Sequence, residues 1–175
     1  MAWVIPSGGL TFAKRNNSKL APSLLAQTSA LAEELIDKHF SLSSQEWRRL
    51  QYEIIPQEKI LITIPNDALA TLFLLQNHEI LPRKRREFFG LALAEEKLVA
   101  LGKSSSFLNA LLLYIFTHEL VHMVRFVRFC ANFWMALPER LKEERRVHHL
   151  TKEVLSYYRC RELEKVIKHF DKIYT

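Results

Sequence analysis

The chain has 175 residues, 49% of them hydrophobic, with only four Gly and six Pro, so we expect a single domain spanning residues 1–175 with a substantial core. The basic excess, 25 Lys and Arg against 19 Asp and Glu, is diffuse except for Arg83–Arg86, a run more typical of a solvated loop. No aromatic residues interleave that run, so composition and charge argue against a nucleic-acid-binding protein.

The sequence also argues against secretion and membrane insertion. The first twelve residues contain no Lys or Arg, and Lys14 and Arg15 follow them, which is the wrong order for a secretory signal. The longest mainly apolar run, residues 107–116, is shorter than the roughly 18 to 20 residues that span a bilayer. Cys130 and Cys160 stand alone, as free thiols of a reducing compartment do. We therefore expect a cytoplasmic protein with no membrane span.

The first predicted elements are a loose arm and an amphipathic helix. Residues 1–20 carry two turn-forming clusters, Ser7-Gly8-Gly9 and Asn16-Asn17-Ser18, and show little periodicity. From Pro22 to Phe40, apolar side chains recur at helical spacing, which predicts a helix with one buried side. The residues on that side are Leu24, Leu25, Leu31, Ala32, Leu35, Ile36 and Phe40.

A short helical turn and two strands are predicted next. Ser41–Leu50 contains Ser residues that can cap a helical turn. Gln51–Ile55 and Lys59–Ile64 are Ile-rich runs on either side of Pro56-Gln57-Glu58. Because a Pro-containing turn separates the two runs, they predict a hairpin or two successive strands.

The middle of the chain predicts one more helix and two short strands. Asn66 or Asp67 can cap a helix that extends through Gln76. The apolar side of that helix would carry Leu69, Leu72, Phe73 and Leu75. Phe88–Ala94 and Lys97–Leu101 are apolar on most sides. We predict strands rather than one buried helix there, because the first run contains a Gly and no single helical face collects the apolar residues.

A long apolar helix then carries a His-Glu-x-x-His motif. Ser104–Ser106 supplies N-cap hydroxyls, and no Gly or Pro interrupts the chain from there to Phe126. Residues four apart share a helical face, so His118 and His122 can direct both imidazoles at one metal ion. Zinc held in this way needs a third ligand and an open position for water, and Glu119 can take the proton of that water. The motif predicts a zinc hydrolase.

The third ligand is expected on a later helix between Pro138 and Tyr158. Glu143 and Glu144 lie within its apolar arc, towards opposite edges. The other residues of the arc are Val147, Leu150, Val154, Leu155 and Tyr158. A carboxylate that faces the core needs a cation or a metal ion. Spacing does not choose between the two glutamates, and the alternative is that both are solvated near the helix start, where the dipole favours negative charge.

Two further segments flank this helix. Val127–Leu137 is rich in Phe, Trp and Met, which favours core packing between two helices over an apolar substrate pocket. Ser156–Thr175 predicts a continued or second helix. Its core-facing residues would be Leu163, Val166, Ile167 and Phe170.

The motif followed by a Glu-bearing helix resembles the gluzincins, the zinc metallopeptidases typified by thermolysin, in which that Glu is the third zinc ligand. In several members a small or aliphatic residue follows the Glu three positions on, and Asp or Asn follows four positions on. Glu144 with Val147 and His148 resembles this pattern better than Glu143 does, although His148 stands in place of Asp or Asn. The resemblance covers about residues 97–158.

The resemblance implies an α+β, mostly helical, zincin-like fold with a small β-sheet before the active-site helix and the Glu-bearing helix. It also implies that His118, His122 and Glu144 bind zinc and that Glu119 polarises the attacking water. The activity implied is zinc-dependent hydrolysis of peptide bonds in a peptide or protein substrate.

The sequence leaves two questions about function open. Tyr158, His148 or Arg125 could stabilise the developing oxyanion, and His148 could instead orient a ligand imidazole from the second coordination sphere. The alternative to a peptidase is a non-catalytic or regulatory zinc-binding module that acts through a protein or nucleic-acid partner. Glu119 favours the enzyme, because a structural zinc site has no need of a general base.

Overall fold

The computed structural model describes residues 3–6, 20–55, 68–75, 88–102 and 104–174. Within these ranges the chain is mostly helical with a small mixed sheet, an α+β architecture as predicted. The strands are β1 (Trp3–Pro6), β2 (Tyr52–Ile55), β3 (Ala68–Leu75) and β4 (Phe88–Leu93). The helices are α1 (Pro22–Phe40), α2 (Ser44–Arg49), α3 (Glu95–Leu101), α4 (Ser105–Val127), α5 (Leu137–Leu155) and α6 (Arg161–Tyr174).

The four strands form one sheet in the order β1-β3-β4-β2. β3 is antiparallel to both β1 and β4, whereas β2 runs parallel to β4. Leu72 of β3 lies opposite Leu91 of β4, and both side chains are buried. The prediction of a loose N-terminal arm is wrong for Trp3–Pro6, because these residues form β1 and pair with β3. The rest of that arm before Leu20 lies outside the described residues.

The helix predicted after Asp67 is wrong, because this segment forms β3. Its sequence is apolar at nearly every position, and its first six residues are buried. In such a run, apolar residues recur at the spacing of a helix and also at that of a strand. Periodicity therefore does not separate a buried strand from a buried helix. Pairing with a strand on each side decides between them. Three features of the sequence analysis lie outside the described residues. They are the predicted helix caps Asn66 and Asp67, the predicted strand Lys59–Ile64 and the basic run Arg83–Arg86.

The second of the two strands predicted after residue 87 is also wrong. β4 confirms the first, but Lys97–Leu101 belongs to the helix α3. That helix begins with Glu95 and Glu96, whose negative charges are favourable at a helix N-terminus. Leu98 and Leu101, which are three residues apart, are its buried side chains. The predicted strand began too late in the sequence to include the two glutamates that favour the helix.

The remaining predicted helices are confirmed, together with their local signals. α2 begins with a capping box in which the side chain of Ser43 and that of Glu46 each bind the backbone of the other residue. The hydroxyl of Ser104 caps α4 by accepting the N–H of Phe107 at 3.2 Å. α5 carries Pro138 in its first turn, where a missing N–H costs no helical hydrogen bond.

α4 lies at the centre of the helical layer and contacts α1, α5 and α6. Every residue from Ala110 to Val124 is buried. Within the described ranges, α4 is the one helix long and apolar enough to cross a membrane, and 83% of its 18-residue apolar window is buried inside the protein. The core helix of a soluble protein meets the same length and hydropathy criteria, so this property alone does not place α4 in a membrane.

The connection between α4 and α5 is only partly packed into the core. Phe133 is buried, and its ring packs edge-on against that of Phe126 in the last turn of α4, with the two ring centroids 5.4 Å apart. Phe129 and Trp134 are instead exposed, so the predicted core packing holds for one of these three aromatic residues. Cys130 in the same connection and Cys160 after α5 are both free thiols, as predicted.

Candidate metal centre

Two neighbouring helices bring three potential metal ligands together. His118 and His122 lie one turn apart on α4, and Glu144 projects from α5 towards them. The Oε2 atom of Glu144 is 3.2 Å from Nε2 of His118 and 3.5 Å from Nε2 of His122. One ligand atom from each residue lies within 4.8 Å of the others. The structure thus brings together the three residues that the resemblance to the gluzincins implied as ligands.

The two distances from the carboxylate to the imidazoles are those expected between ligands of one zinc ion. Zinc bonds nitrogen and oxygen at about 2.0–2.2 Å in a tetrahedral arrangement, which separates neighbouring ligand atoms by roughly 3.3–3.5 Å. The measured separations from the carboxylate oxygen to the two imidazole nitrogens, 3.2 and 3.5 Å, agree with this. Two imidazoles and a carboxylate also form the ligand set of a catalytic zinc site, which leaves one position open.

Burial and neighbouring charges put two of these ligands in the protonation state that a metal requires. Burial lowers the pKa of His118 to about 4, so its imidazole is neutral near pH 7. Burial alone would raise the pKa of Glu144, but the charge of His122 and hydrogen bonds from His118 and His122 lower it to about 2. A neutral imidazole and an ionised carboxylate are the forms that bind metal ions.

Glu119 is a buried carboxyl group beside this centre. The residue is 1% exposed, and its Oε2 atom has no hydrogen-bond partner within the described part of the chain. Burial, and after it the negative charge of Glu144, raise its pKa well above the usual range, while Arg140 acts in the opposite direction. A buried polar atom without a partner is costly and calls for an explanation. A cation at the centre would provide one, since positive charge nearby favours the carboxylate.

The adjacent glutamate, Glu143, faces away from the imidazoles and pairs with Arg125. The Nε and Nη2 groups of Arg125 donate to its two carboxylate oxygens, the second at 3.0 Å. Arg146 lies 3.9 Å away, one turn further along α5. Glu143 and Glu144 are 4% and 8% exposed, so the alternative of two solvated glutamates is wrong. One glutamate meets a cation and the other meets the two histidines.

The three residues proposed for the oxyanion have other surroundings. Arg125 binds Glu143, as described above. Burial lowers the pKa of His148, so its neutral ring donates from Nε2 to Asp171 at 3.0 Å and accepts the Tyr114 hydroxyl at Nδ1 at 2.8 Å. His148 therefore has no nitrogen left to orient a ligand imidazole. Tyr158 follows the end of α5 and is 40% exposed.

Comparison with known proteins does not assign the chain to a family. No protein-family model, curated protein or solved structure matches it.

Two residues near the centre were missed by the sequence analysis. Arg140 is close enough to Glu119 and Glu144 for their negative charges to raise its pKa, although burial lowers that pKa more. Its position four residues before Glu144, on the same face of α5, is a signal that could have identified it. The ring of Tyr174 lies 5.6 Å from that of His118. Spacing along α6 places Tyr174 on the buried side with Phe170, but no motif marks it as part of a site.

Proposed function

We propose that this chain is a zinc-dependent metallopeptidase with a zincin-like fold, in which His118, His122 and Glu144 hold the metal. The observation that supports the proposal best is the convergence of these three side chains, with carboxylate-to-imidazole distances of 3.2 and 3.5 Å, next to the buried carboxyl group of Glu119. The ligands alone fit either a structural or a catalytic site. The additional carboxyl group favours catalysis, because a structural site does not use a base.

Zinc at this position would polarise a substrate carbonyl and lower the pKa of a water molecule. Glu119 would accept a proton from that water and pass it to the leaving amine. Its buried surroundings suit the return of the proton, because burial raises the pKa of this carboxyl group and so helps it to hold a proton between the two transfers. α4 fixes the position of Glu119 relative to the imidazoles, since all three residues lie on one rigid, buried helix.

The burial of the centre supports a second candidate function. His118, His122 and Glu119 are each at most 1% exposed, and Glu144 is 8% exposed. One surface cavity among the described residues involves none of them. It is lined by His39, His149, Lys152, Glu153, Ser156 and Tyr157. A closed centre suits a non-catalytic zinc-binding module, whereas a peptidase requires a movement that admits the peptide.

A charge-neutral substitution separates the two functions. Glu119→Gln keeps the shape of the side chain but removes its ability to accept a proton. We expect it to retain zinc and the fold while slowing peptide cleavage by about a hundredfold or more, the usual contribution of a general base. Cleavage would be followed by mass spectrometry on a peptide mixture of diverse sequence, with zinc content measured on the same samples.

Glu139→Gln is the matched control, because Glu139 is an exposed glutamate in the first turn of α5. This variant should cleave at the wild-type rate. Equal cleavage by the wild type and Glu119→Gln would exclude Glu119 as the base. If the wild type held zinc but cleaved no peptide in the mixture, the binding module would become the better account.

A further inference from the structure

The last turn of α6 places an aromatic ring against the metal centre. The ring of Tyr174 stacks on that of His118 with centroids 5.6 Å apart and an angle of 21° between the planes. It also stacks on His148 at 4.9 Å and 28°. Packing on both rings holds Tyr174 beside the ligand His118, although the two residues are far apart in sequence.

The hydroxyl group of Tyr174 is buried and lacks a hydrogen-bond partner within the described residues. The neighbouring Tyr114 does not provide one, since its hydroxyl is bonded to His148. A buried hydroxyl without a partner destabilises a folded protein, and it is usually explained by a function or by a bound molecule. A phenylalanine at this position would preserve the stacking without that cost. The hydroxyl is therefore not accounted for by packing.

The hydroxyl group of Tyr174 is protonated at neutral pH, as a phenol ordinarily is. Burial has the largest effect, followed by the negative charge of Glu144, and together they raise the pKa of Tyr174 well above its usual value. Tyr114 and Glu119 act in the same direction. The hydroxyl can therefore donate a hydrogen bond at neutral pH, and the stacking on His118 places its ring beside the centre.

We propose that the Tyr174 hydroxyl donates a hydrogen bond to the carbonyl oxygen of a ligand bound at the metal centre, and to the negative charge that develops on that oxygen during peptide hydrolysis. This role rests on the function proposed above. A donor already fixed in a water-poor site stabilises such an oxygen effectively, because it needs no reorganisation. Tyr174 meets this condition better than the candidates from the sequence, since Arg125 and His148 bind other groups and Tyr158 is exposed.

The proposal can be tested by ligand binding, without a known substrate. Cobalt(II) would replace zinc, and acetohydroxamate, a small carbonyl-containing metal ligand, would be titrated while the visible cobalt spectrum is recorded. Tyr174→Phe should weaken acetohydroxamate binding by about tenfold or more, the effect of losing one hydrogen bond to a charged oxygen. Cobalt affinity should not change, and the melting temperature should be equal or higher, because an unpaired buried hydroxyl has been removed.

Tyr158→Phe is the matched control, and we expect it to bind acetohydroxamate as the wild type does. Equal acetohydroxamate affinity in wild type and Tyr174→Phe would overturn the inference, as would an effect confined to Tyr158→Phe. Loss of cobalt by Tyr174→Phe would also overturn it, because the tyrosine would then be a ligand or a structural support. A wild-type protein that bound no cobalt would instead refute the metal centre itself, so the two failures are distinguishable.

Discussion

The two sides of α5 hold neighbouring buried glutamates that are stabilised in different ways. On one side, Glu143 meets the guanidinium group of Arg125, a permanent cation, so the charges balance within the protein. On the other side, Glu144 meets His122 and His118, and burial lowers the pKa of His118 to about 4. The comparison shows that the partners of a buried carboxylate, rather than its burial alone, indicate its role. Glu143 completes an ion pair, whereas Glu144 and two imidazoles form a group that could hold a metal ion.

The largest expected difference between the two sides is in metal binding. Glu144→Ala should weaken zinc binding by roughly a thousandfold or more, because even hydrogen-bond partners of ligands cost about 10–100-fold when they are removed. Glu143→Ala should leave zinc affinity close to the wild-type value. Competition with a chromophoric chelator would measure both affinities. Equal zinc affinities in the two variants would remove the distinction between the two sides of α5.

The next largest expected effect is a loss of protein stability when the ion pair between Arg125 and Glu143 is broken. Arg125→Ala leaves the carboxylate of Glu143 buried without its main partner, and we expect the free energy of unfolding to fall on the order of 3 kcal/mol. Replacing both residues, as in Arg125→Met with Glu143→Leu, should restore most of the loss, because no buried charge is then left unpaired. Urea denaturation would give these values.

Arg146→Ala is the control for this prediction, because Arg146 is 65% exposed and 3.9 Å from the same carboxylate. Its effect should be within about 1 kcal/mol, as for other exposed ion pairs. If Arg125→Ala lowered the free energy of unfolding no more than Arg146→Ala does, solvent would have to reach Glu143. That result would contradict the burial of the ion pair between Glu143 and Arg125.

The smallest expected effect concerns an exposed ion pair one turn beyond Arg125. Arg128 donates to Glu46 at 2.7 Å, and Glu46 also accepts the hydroxyl and the N–H of Ser43. The hydrogen bonds from Ser43, followed by that from Arg128, lower the pKa of Glu46 from 4.5 to about 2. Because folding lowers this pKa, the ionised carboxylate of Glu46 stabilises the folded protein above pH 4.5. This stabilisation is lost as the pH falls towards 2.

Glu46→Gln should therefore be slightly less stable than the wild type at pH 7, by less than Arg125→Ala is. The difference should shrink between pH 4.5 and 2, where wild-type Glu46 becomes protonated. Thermal unfolding at a series of pH values would measure it. A difference that stayed constant down to pH 2 would show that the carboxylate charge does not contribute.

The sequence predicted those parts of the molecule in which a local signal and the tertiary structure agree. α4 has a Ser cap, a long run without Gly or Pro, and two histidines at helical spacing, so the helix and the shared face of its two histidines followed from the sequence alone. β3 lacked such a signal. Its apolar residues fit a helix as well as a strand, and only the pairing with β1 and β4 selects the strand.

The choice between the two glutamates and the position of Tyr174 depend on contacts between helices. Glu143 and Glu144 both lie within the apolar arc of α5, so the position of Arg125 on α4 determines which of them is left for the histidines. Tyr174 reaches His118 because α6 folds back against α4 and α5. Spacing alone could find neither arrangement: Glu144 was favoured only by the resemblance to the gluzincins, and no pattern in the sequence pointed to Tyr174.

The most direct test of the metal centre is a crystal structure of the zinc-loaded protein with anomalous diffraction recorded on both sides of the zinc absorption edge. We predict a single strong anomalous peak bonded to Nε2 of His118, Nε2 of His122 and a carboxylate oxygen of Glu144, at about 2.0–2.2 Å from each. A fully zinc-loaded crystal with no anomalous peak between these three side chains, or with a peak at other residues only, would contradict the account.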